Sequence, residues 1–184
     1  QGISGGYGGS QHIVDENYLS NGIQGGMLPI AAGVSFYFKR KKGDSISVSY
    51  IGDGTLGEGI VYETLNLASV LDCPLLIVVE NNGYAQSTSF KQTFRGELKV
   101  RAEGFGIKYF KTSTFNIEEL DENCKAAVEF ARAESKPVII EIQTYRLNAH
   151  SKGDDNRQMT EIEDFRRKDV LSNLLASNND ELNC

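Results

Sequence analysis

Ser45-Ile46-Ser47-Val48-Ser49-Tyr50-Ile51-Gly52-Asp53-Gly54 and, after an interval long enough for one helix, Leu75-Leu76-Ile77-Val78-Val79-Glu80-Asn81-Asn82-Gly83-Tyr84 decide the fold of this chain. The first run alternates small polar with apolar residues as far as Ile51, the period-2 pattern of a strand. The second opens with an unbroken β-rich apolar run, the pattern of a parallel strand covered on both faces. Between them, within residues 57–71, Ile60, Thr64, Ala68 and Leu71 recur at helical spacing. Strand, helix and strand then form a right-handed parallel crossover. It sets Asp53 and Asn82 at the carboxyl ends of two strands, where open α/β sheets bind ligands.

The rest of the chain keeps the same rhythm. Met27 to Phe38 reads as an apolar helix closed by the basic cluster Lys39-Arg40-Lys41-Lys42, where positive charge favours a helix end. Ile107 to Thr112 reads as a strand. Ile117 to Ala133 reads as a helix with Leu120, Cys124, Ala127 or Val128, and Ala131 inward, and Val138 to Thr144 as another strand after Pro137. Thr160 with Glu163 has the spacing of a capping box opening a last helix through Leu175. The expectation is an α/β fold, a mostly parallel sheet with helices on both faces, in a single domain over residues 1–184.

An Asp carboxylate, an Asn amide and a nearby backbone carbonyl are hard oxygen ligands suited to Mg²⁺, which completes its octahedron with water and substrate phosphate oxygens. Gly54 and Gly57 would let backbone N–H groups approach those phosphates at the helix start. Other readings share these residues. Gly52-x-Gly54-x-x-Gly57, with Glu80 ending the next strand, also matches a dinucleotide fingerprint. Against it stands Asp53 inside the turn, which without a metal would repel a pyrophosphate. Asp53 could also simply cap the following helix, and Glu58 and Glu63 read as first-turn and solvent-facing helix charges.

Taken together, Gly52-Asp53-Gly54 and the following Asn81-Asn82 resemble the signature of the alpha subunit of thiamine diphosphate-dependent 2-oxo acid dehydrogenases of the pyruvate, acetoin and branched-chain type. The resemblance covers nearly the whole chain and implies a thiamine diphosphate-binding fold. It implies that Asp53, the side chain of Asn82 and the backbone carbonyl of Tyr84 coordinate Mg²⁺. Three further blocks agree in order and spacing. Gly8-Gly9-Ser10-Gln11-His12 is similar to a segment near the active-site entrance. Asn21-Gly22-Ile23-Gln24-Gly25-Gly26-Met27-Leu28-Pro29 is similar to one whose backbone, at Gly22 and Gln24, contacts the aminopyrimidine. Thr144-Tyr145-Arg146-Leu147-Asn148-Ala149-His150-Ser151 resembles the mobile loop that closes over the cofactor, with His150 near the diphosphate as the candidate catalytic group. Many relatives carry a second His where this chain has Asn148, so a histidine acid/base role falls on His12, His150 or another chain. Ser151 matches a phosphorylated serine of animal mitochondrial relatives, although an ordinary loop serine is the simpler reading.

The same resemblance implies partners. A beta subunit supplies the glutamate that activates the cofactor, no residue here matching it. Activity then arises in an αβ or α₂β₂ assembly acting on a small 2-oxo acid, with acyl transfer to a lipoyl-bearing acyltransferase. The resemblance further implies an N-terminal helical region that this sequence is expected to lack, as a truncated, processed or naturally reduced subunit. A split transketolase-like subunit and a non-catalytic assembly paralogue remain alternatives.

Whole-chain properties agree with an enzyme piece. Of 184 residues, 40% are hydrophobic, enough for a sizeable core, and the net charge of −6 argues against a nucleic-acid surface. Cys73, Cys124 and Cys184 lack metal-ligand spacing, and the first two read as buried thiols. No signal peptide or long apolar span appears, so a cytoplasmic or organelle-matrix setting without membrane contact is expected.

Overall fold

A computed structural model of the chain describes residues 11–181. Residues Gly8 to Ser10 of the first family block, and Cys184, lie outside that range. A short antiparallel hairpin of β1 (Val14–Asp15) and β2 (Tyr18–Leu19) leads through a 3-10 turn at Gln24–Gly26 into helix α1 (Met27–Lys41). Pro29 occupies the first turn of α1, where a missing N–H costs nothing. Lys42, in the left-handed region at φ 57°, ends the helix. Strand β3 (Ser47–Gly52) runs into a 3-10 turn at Asp53–Gly57, then helix α2 (Gly59–Val70) and strand β4 (Leu75–Asn81). A second hairpin, β5 (Tyr84–Ala85) with β6 (Thr88–Ser89), is followed by the short helices α3 (Phe90–Thr93) and α4 (Leu98–Gly104). The chain ends with β7 (Lys108–Ser113), α5 (Ile117–Glu134), β8 (Val138–Gln143), α6 (Met159–Arg167) and α7 (Val170–Glu181).

The four long strands pair in the order β3-β4-β8-β7, all parallel, with helices on both faces. Leu75, Ile77, Val79 and Ile139 point into one core with Leu28 and Ala32 of α1, Val61, Leu65 and Ala68 of α2, and Leu98 and Ala102 of α4. Leu76, Val78, Val138 and Ile140 point into a second core closed by Ala127 and Ala131 of α5. The unbroken apolar run of β4 is therefore explained by burial on both faces, as expected of a central parallel strand. Lys39, near the end of α1, donates to the Leu71 carbonyl at 2.7 Å and pairs with Asp72 at 3.4 Å, tying α1 to the end of α2. No described helix is long and apolar enough to cross a membrane.

Several sequence expectations need correction. On α2, Thr64 and Ala68 are buried, but the inward stripe continues through Val61 and Leu65, and Ile60 is exposed. The helix starts at Gly59, after the 3-10 turn, and its buried stripe takes in Val61 and Leu65 beside Thr64 and Ala68. Thr160 does not cap a helix: α6 has already begun at Met159, with Gln158 as its cap residue. Nor is there one final helix. The chain breaks at Lys168 and Asp169, and the Asp169 carboxylate accepts from the Ser172 backbone N–H at 3.2 Å, reopening the chain as α7. Cys73 is buried, but Cys124 is only partly so. In β3 it is Ser49 and Ile51 that are buried, while Val48 and Tyr50 are exposed. β3 is an edge strand of the sheet. A groove of about 870 Å³ runs there between the first hairpin, α1 and β3, and reaches Gln24 and Gly52.

Gly54 marks the closest approach between the Asp53–Gly57 turn and β5, since a Cβ at that position would lie 2.4 Å from the Cβ of Ala85. Gly54→Ala should lower stability by about 1–3 kcal/mol, and adding Ala85→Gly should recover most of the loss. Urea unfolding of the single and double variants tests this; strictly additive effects would rule the contact out as the cause.

Candidate functional site

The parallel register brings Gly52 level with Glu80, and Asn81 level with Gln143. The chain leaves β3 and β4 at the same end of the sheet, so Asp53 and Asn82 emerge side by side. Asp53 is 2% exposed. Its Oδ1 accepts from the Gly54 N–H at 2.8 Å, while Oδ2 is buried and has no hydrogen-bond partner among the described residues. Burial pushes this carboxyl above the ordinary range, against the opposing pull of the Gly54 and Gly83 amides and of the more distant Arg146 guanidinium. A buried carboxylate oxygen without a donor costs free energy unless a cation or proton meets it.

The turn after β4 is held by its own amides. Asn81 Oδ1 accepts from the Gly83 N–H at 3.1 Å, and Asn82 Oδ1 from the Tyr84 N–H at 2.9 Å. Gly83 has φ +83°, a conformation that suits glycine. The next step is the β5 hairpin, which lies over the Asp53–Gly57 turn at Ala85. Among the described residues no group of three His, Cys, Asp or Glu side chains could hold a metal ion. The oxygen set available is one carboxylate, one amide and backbone carbonyls, and it suits a hard cation that keeps water or phosphate in its remaining positions.

The Asn21 to Pro29 block packs against the same place from the other side. Gln24 Oε1 accepts from the Gly52 N–H and from the Thr55 hydroxyl, both at 2.8 Å. This side chain thereby splices the 3-10 turn before α1 to the turn that carries Asp53. Gly25 is buried, and a Cβ there would lie 1.9 Å from Oε2 of Glu58, so Gly25 is where the block meets the start of α2. Glu58 is the cap residue of α2 rather than part of its first turn. Gly22 is exposed on the approach to this turn. Gly54 gives its N–H to Asp53 Oδ1, and α2 does not begin until Gly59; the glycine-rich turn does not open directly onto a helix start as the dinucleotide fingerprint requires.

The third block forms a strap from β8 to α6. Arg157, with only 4% of its side chain exposed, organises it. Its Nε and Nη2 donate to the two oxygens of Asp155 at 2.8 and 2.6 Å, a bidentate pair, and Nη1 and Nη2 reach the carbonyls of Arg146 and Asn148. The guanidinium also lies over the rings of Tyr84 and Tyr145, at 5.6 and 5.1 Å from their centroids. Both tyrosine hydroxyls donate to Glu161 of α6 at 3.0 Å. Arg146 donates to the Gln86 carbonyl at 2.6 Å. The strap is thus fastened to the hairpin that follows Asn82. Burial, followed by the Glu161 carboxylate, pushes the Tyr145 phenol up to about 12.

The structure therefore brings together Asp53, Gly54, Asn82 and Tyr84, with Gln24 against them. His150 stands apart on the exposed part of the strap, its Nδ1 3.5 Å from Asp154, whose carboxylate also accepts from the Ser151 N–H and hydroxyl. His12 is exposed near the first hairpin. Sequence reading missed Arg157 and Glu161, which look like ordinary loop and helix charges. It also missed Glu141, although a lone acid inside the apolar run Val138 to Ile142 is an available signal.

Residues 1–177 match the sequence family described as the dehydrogenase E1 component. The chain belongs to that family. It is 35% identical over 179 residues to the pyruvate dehydrogenase E1 component subunit alpha of Rickettsia bellii, covering 94% of this chain and 55% of that protein. It is 36% identical over 180 residues to the corresponding subunit of Zymomonas mobilis, covering 94% and 51%. A mitochondrial pyruvate dehydrogenase E1 component subunit alpha from Dictyostelium discoideum is 33% identical over 178 residues, covering 94% and 47%. The resemblance to the alpha subunit read from the four sequence blocks is thus borne out, and the chain spans about half the length of these relatives. Among solved structures, transketolase from Campylobacter jejuni superposes with a TM-score of 0.56 at 24% identity over 70% of this chain and 21% of that one. A transketolase mutant from Pichia stipitis gives 0.58 at 19% over 68% and 20%. These establish the E1 chain's α/β fold as one shared with transketolases.

The Arg157 pair holds the Asp155 carboxyl down at about 2, against an ordinary 3.8. A depressed acid stabilises the strap above the ordinary value, and the contribution disappears as pH falls through about 2. The carboxyl carbon of Asp155 should therefore titrate near 2 by NMR, and Arg157→Gln should return it towards 3.8; no change on substitution would sink the pairing.

Proposed function

We propose that this chain forms the Mg²⁺-diphosphate half of the active site in the alpha subunit of a thiamine diphosphate-dependent 2-oxo acid dehydrogenase. The single observation that supports it most is the buried, unpartnered Oδ2 of Asp53 at the carboxyl end of a parallel sheet, beside the Asn82 to Tyr84 turn. Mg²⁺ would give that oxygen the positive partner it lacks, with the Asn82 side chain and the Tyr84 carbonyl as the other protein ligands and diphosphate oxygens completing the shell. To release its Oδ1 to a metal, Asn82 exchanges its bond to the Tyr84 N–H for the ion.

The remaining residues of the site bind and orient. Gly54 keeps the Asp53 turn tight beneath Ala85, and the backbones at Gly22 and Gln24 meet the aminopyrimidine. The Gln24 side chain, bonded to Gly52 and Thr55, keeps the pyrimidine wall and the metal wall in fixed relation. His150 and the strap from Arg146 to Gln158 close over the diphosphate, excluding water, with His150 as hydrogen-bond donor to it. When bound, the thiazolium of the cofactor takes up the electron pair left as CO₂ departs from a 2-oxo acid.

Completion requires other chains. A beta subunit in an αβ or α₂β₂ assembly brings the activating glutamate, and a lipoyl-bearing acyltransferase receives the acyl group. The pyruvate dehydrogenase names of the relatives favour pyruvate among small 2-oxo acids. A cytoplasmic or organelle-matrix setting fits this assignment.

Calorimetric titration of thiamine diphosphate into the chain assembled with its partner subunit should show saturation only with Mg²⁺ present and none with NADH. Asp53→Ala should abolish that Mg²⁺ dependence, because the ion loses its one anionic protein ligand. Binding that ignores Mg²⁺, or survives Asp53→Ala unchanged, would overturn the proposal.

A further inference from the structure

A second buried carboxylate lies at the same end of the sheet. Glu141 of β8 is 7% exposed, yet both its oxygens are partnered. Oε1 accepts from Asn81 Nδ2 at 2.7 Å, and Oε2 accepts from the Tyr109 hydroxyl at 2.5 Å. Strand register explains how they meet. Tyr109 is level with Ile139 across β7 and β8, and Glu141 is level with Val79 across β8 and β4. Alternation along each strand then puts Tyr109, Glu141 and Asn81 on one face, the face of Val79 and Ile139.

An amide can present either its NH₂ or its oxygen to a given neighbour. Glu141 removes that choice: a carboxylate takes only the NH₂ end of Asn81, which turns Asn81 Oδ1 to the Gly83 N–H. Gly83 is the positive-φ residue between Asn82 and Tyr84, and its amide acts in turn on the Asp53 carboxylate. Tyr109 holds the second oxygen, and its own burial beside Glu141 raises the phenol well above its usual range, keeping the hydroxyl a donor. Hydrogen bonds thus run from β7 through β8 to the turn that follows β4.

We infer that Glu141, fixed by Tyr109, is a positioning residue that sets the Asn82 to Tyr84 turn for metal binding by locking the orientation of the Asn81 amide. This rests on the Mg²⁺ reading above. Glu141 touches neither the cofactor nor the ion; its effect passes through Asn81 and Gly83. Outer partners of metal ligands act in this way by fixing ligand orientation before the ion arrives.

The test measures Mg²⁺ affinity, by calorimetry in the presence of thiamine diphosphate, on the chain assembled with its partner subunit. Glu141→Met, which keeps the bulk but not the acceptors, should weaken Mg²⁺ roughly tenfold to a hundredfold. Glu141→Gln should stay near wild type, because its oxygen can face Asn81 while its NH₂ donates to the Tyr109 oxygen. Tyr109→Phe, which keeps the ring's packing, should fall between them and covers the case in which Glu141→Met fails to fold. In an Asn81→Ala background, Glu141→Met should add little further loss. General destabilisation would instead lower thermal stability with Mg²⁺ affinity unchanged, and that outcome, or losses that add fully in the double variant, would overturn the inference. If Asp53→Ala abolishes Mg²⁺ dependence and the Glu141 and Tyr109 variants do not alter it, the positioning role alone falls. If Asp53→Ala has no effect, the metal reading itself falls.

Discussion

Strand β4 is the constraint on which the rest depends. Five consecutive residues, Leu75 to Val79, are at most 5% exposed, and the strand pairs on both edges, with β3 and with β8. A strand packed on two faces and paired on two edges cannot slide, because a shift of one residue would turn each core residue to the opposite face. The point at which the chain leaves β4 is therefore fixed, and with it the position of Asn81 and Asn82. Parallel pairing then aligns the exits of β3, β8 and β7 at the same end. The candidate site residues Asp53, Asn82 and Tyr84 lie in or just after the turns that follow two of those exits.

Two buried carboxylates occupy that end in opposite electrostatic situations. Glu141 has a donor for each oxygen, and a satisfied buried acid is structural. Asp53 keeps one oxygen without a donor, and an unsatisfied buried acid destabilises the chain until something binds it. The contrast separates a carboxylate whose oxygens are both satisfied from one that keeps an oxygen unpaired. The turn between Asn82 and Tyr84 lies between the two, its geometry set from one side by Asn81 and from the other by the close passage of Ala85 over Gly54.

The strap after β8 is fastened by a different kind of interaction. Arg157 is buried among two tyrosine rings, two carbonyls and the Asp155 carboxylate, and a planar guanidinium can satisfy all of them at once. The fastening ends at Tyr84, the residue whose carbonyl is proposed as a metal ligand. Strap and the Asn82 to Tyr84 turn thus share a side chain, so a change in one reaches the other through a direct contact. His150 lies on the exposed part of the strap, beyond these fastenings.

Much of this was legible in the residues themselves. The alternating and unbroken apolar runs named β3, β4 and the parallel α/β fold, and the pairing of Gly52-Asp53-Gly54 with Asn81-Asn82 pointed to the family, because these features depend on local periodicity and spacing. Reading failed where a partner distant in sequence decides the outcome. Val48 and Tyr50 are exposed on β3, an edge strand of the sheet, and Ile60 is exposed on α2 because Val61 and Leu65 share the inward stripe with Thr64 and Ala68. The final helix splits because Asp169 caps a new one. By itself the sequence determined the strands and which oxygen-bearing side chains stand at their ends, because periodicity and spacing are local. Only the tertiary structure decided that Asp53 Oδ2 is left unpaired while Glu141 is paired twice, since hydrogen-bond satisfaction depends on which strands lie side by side.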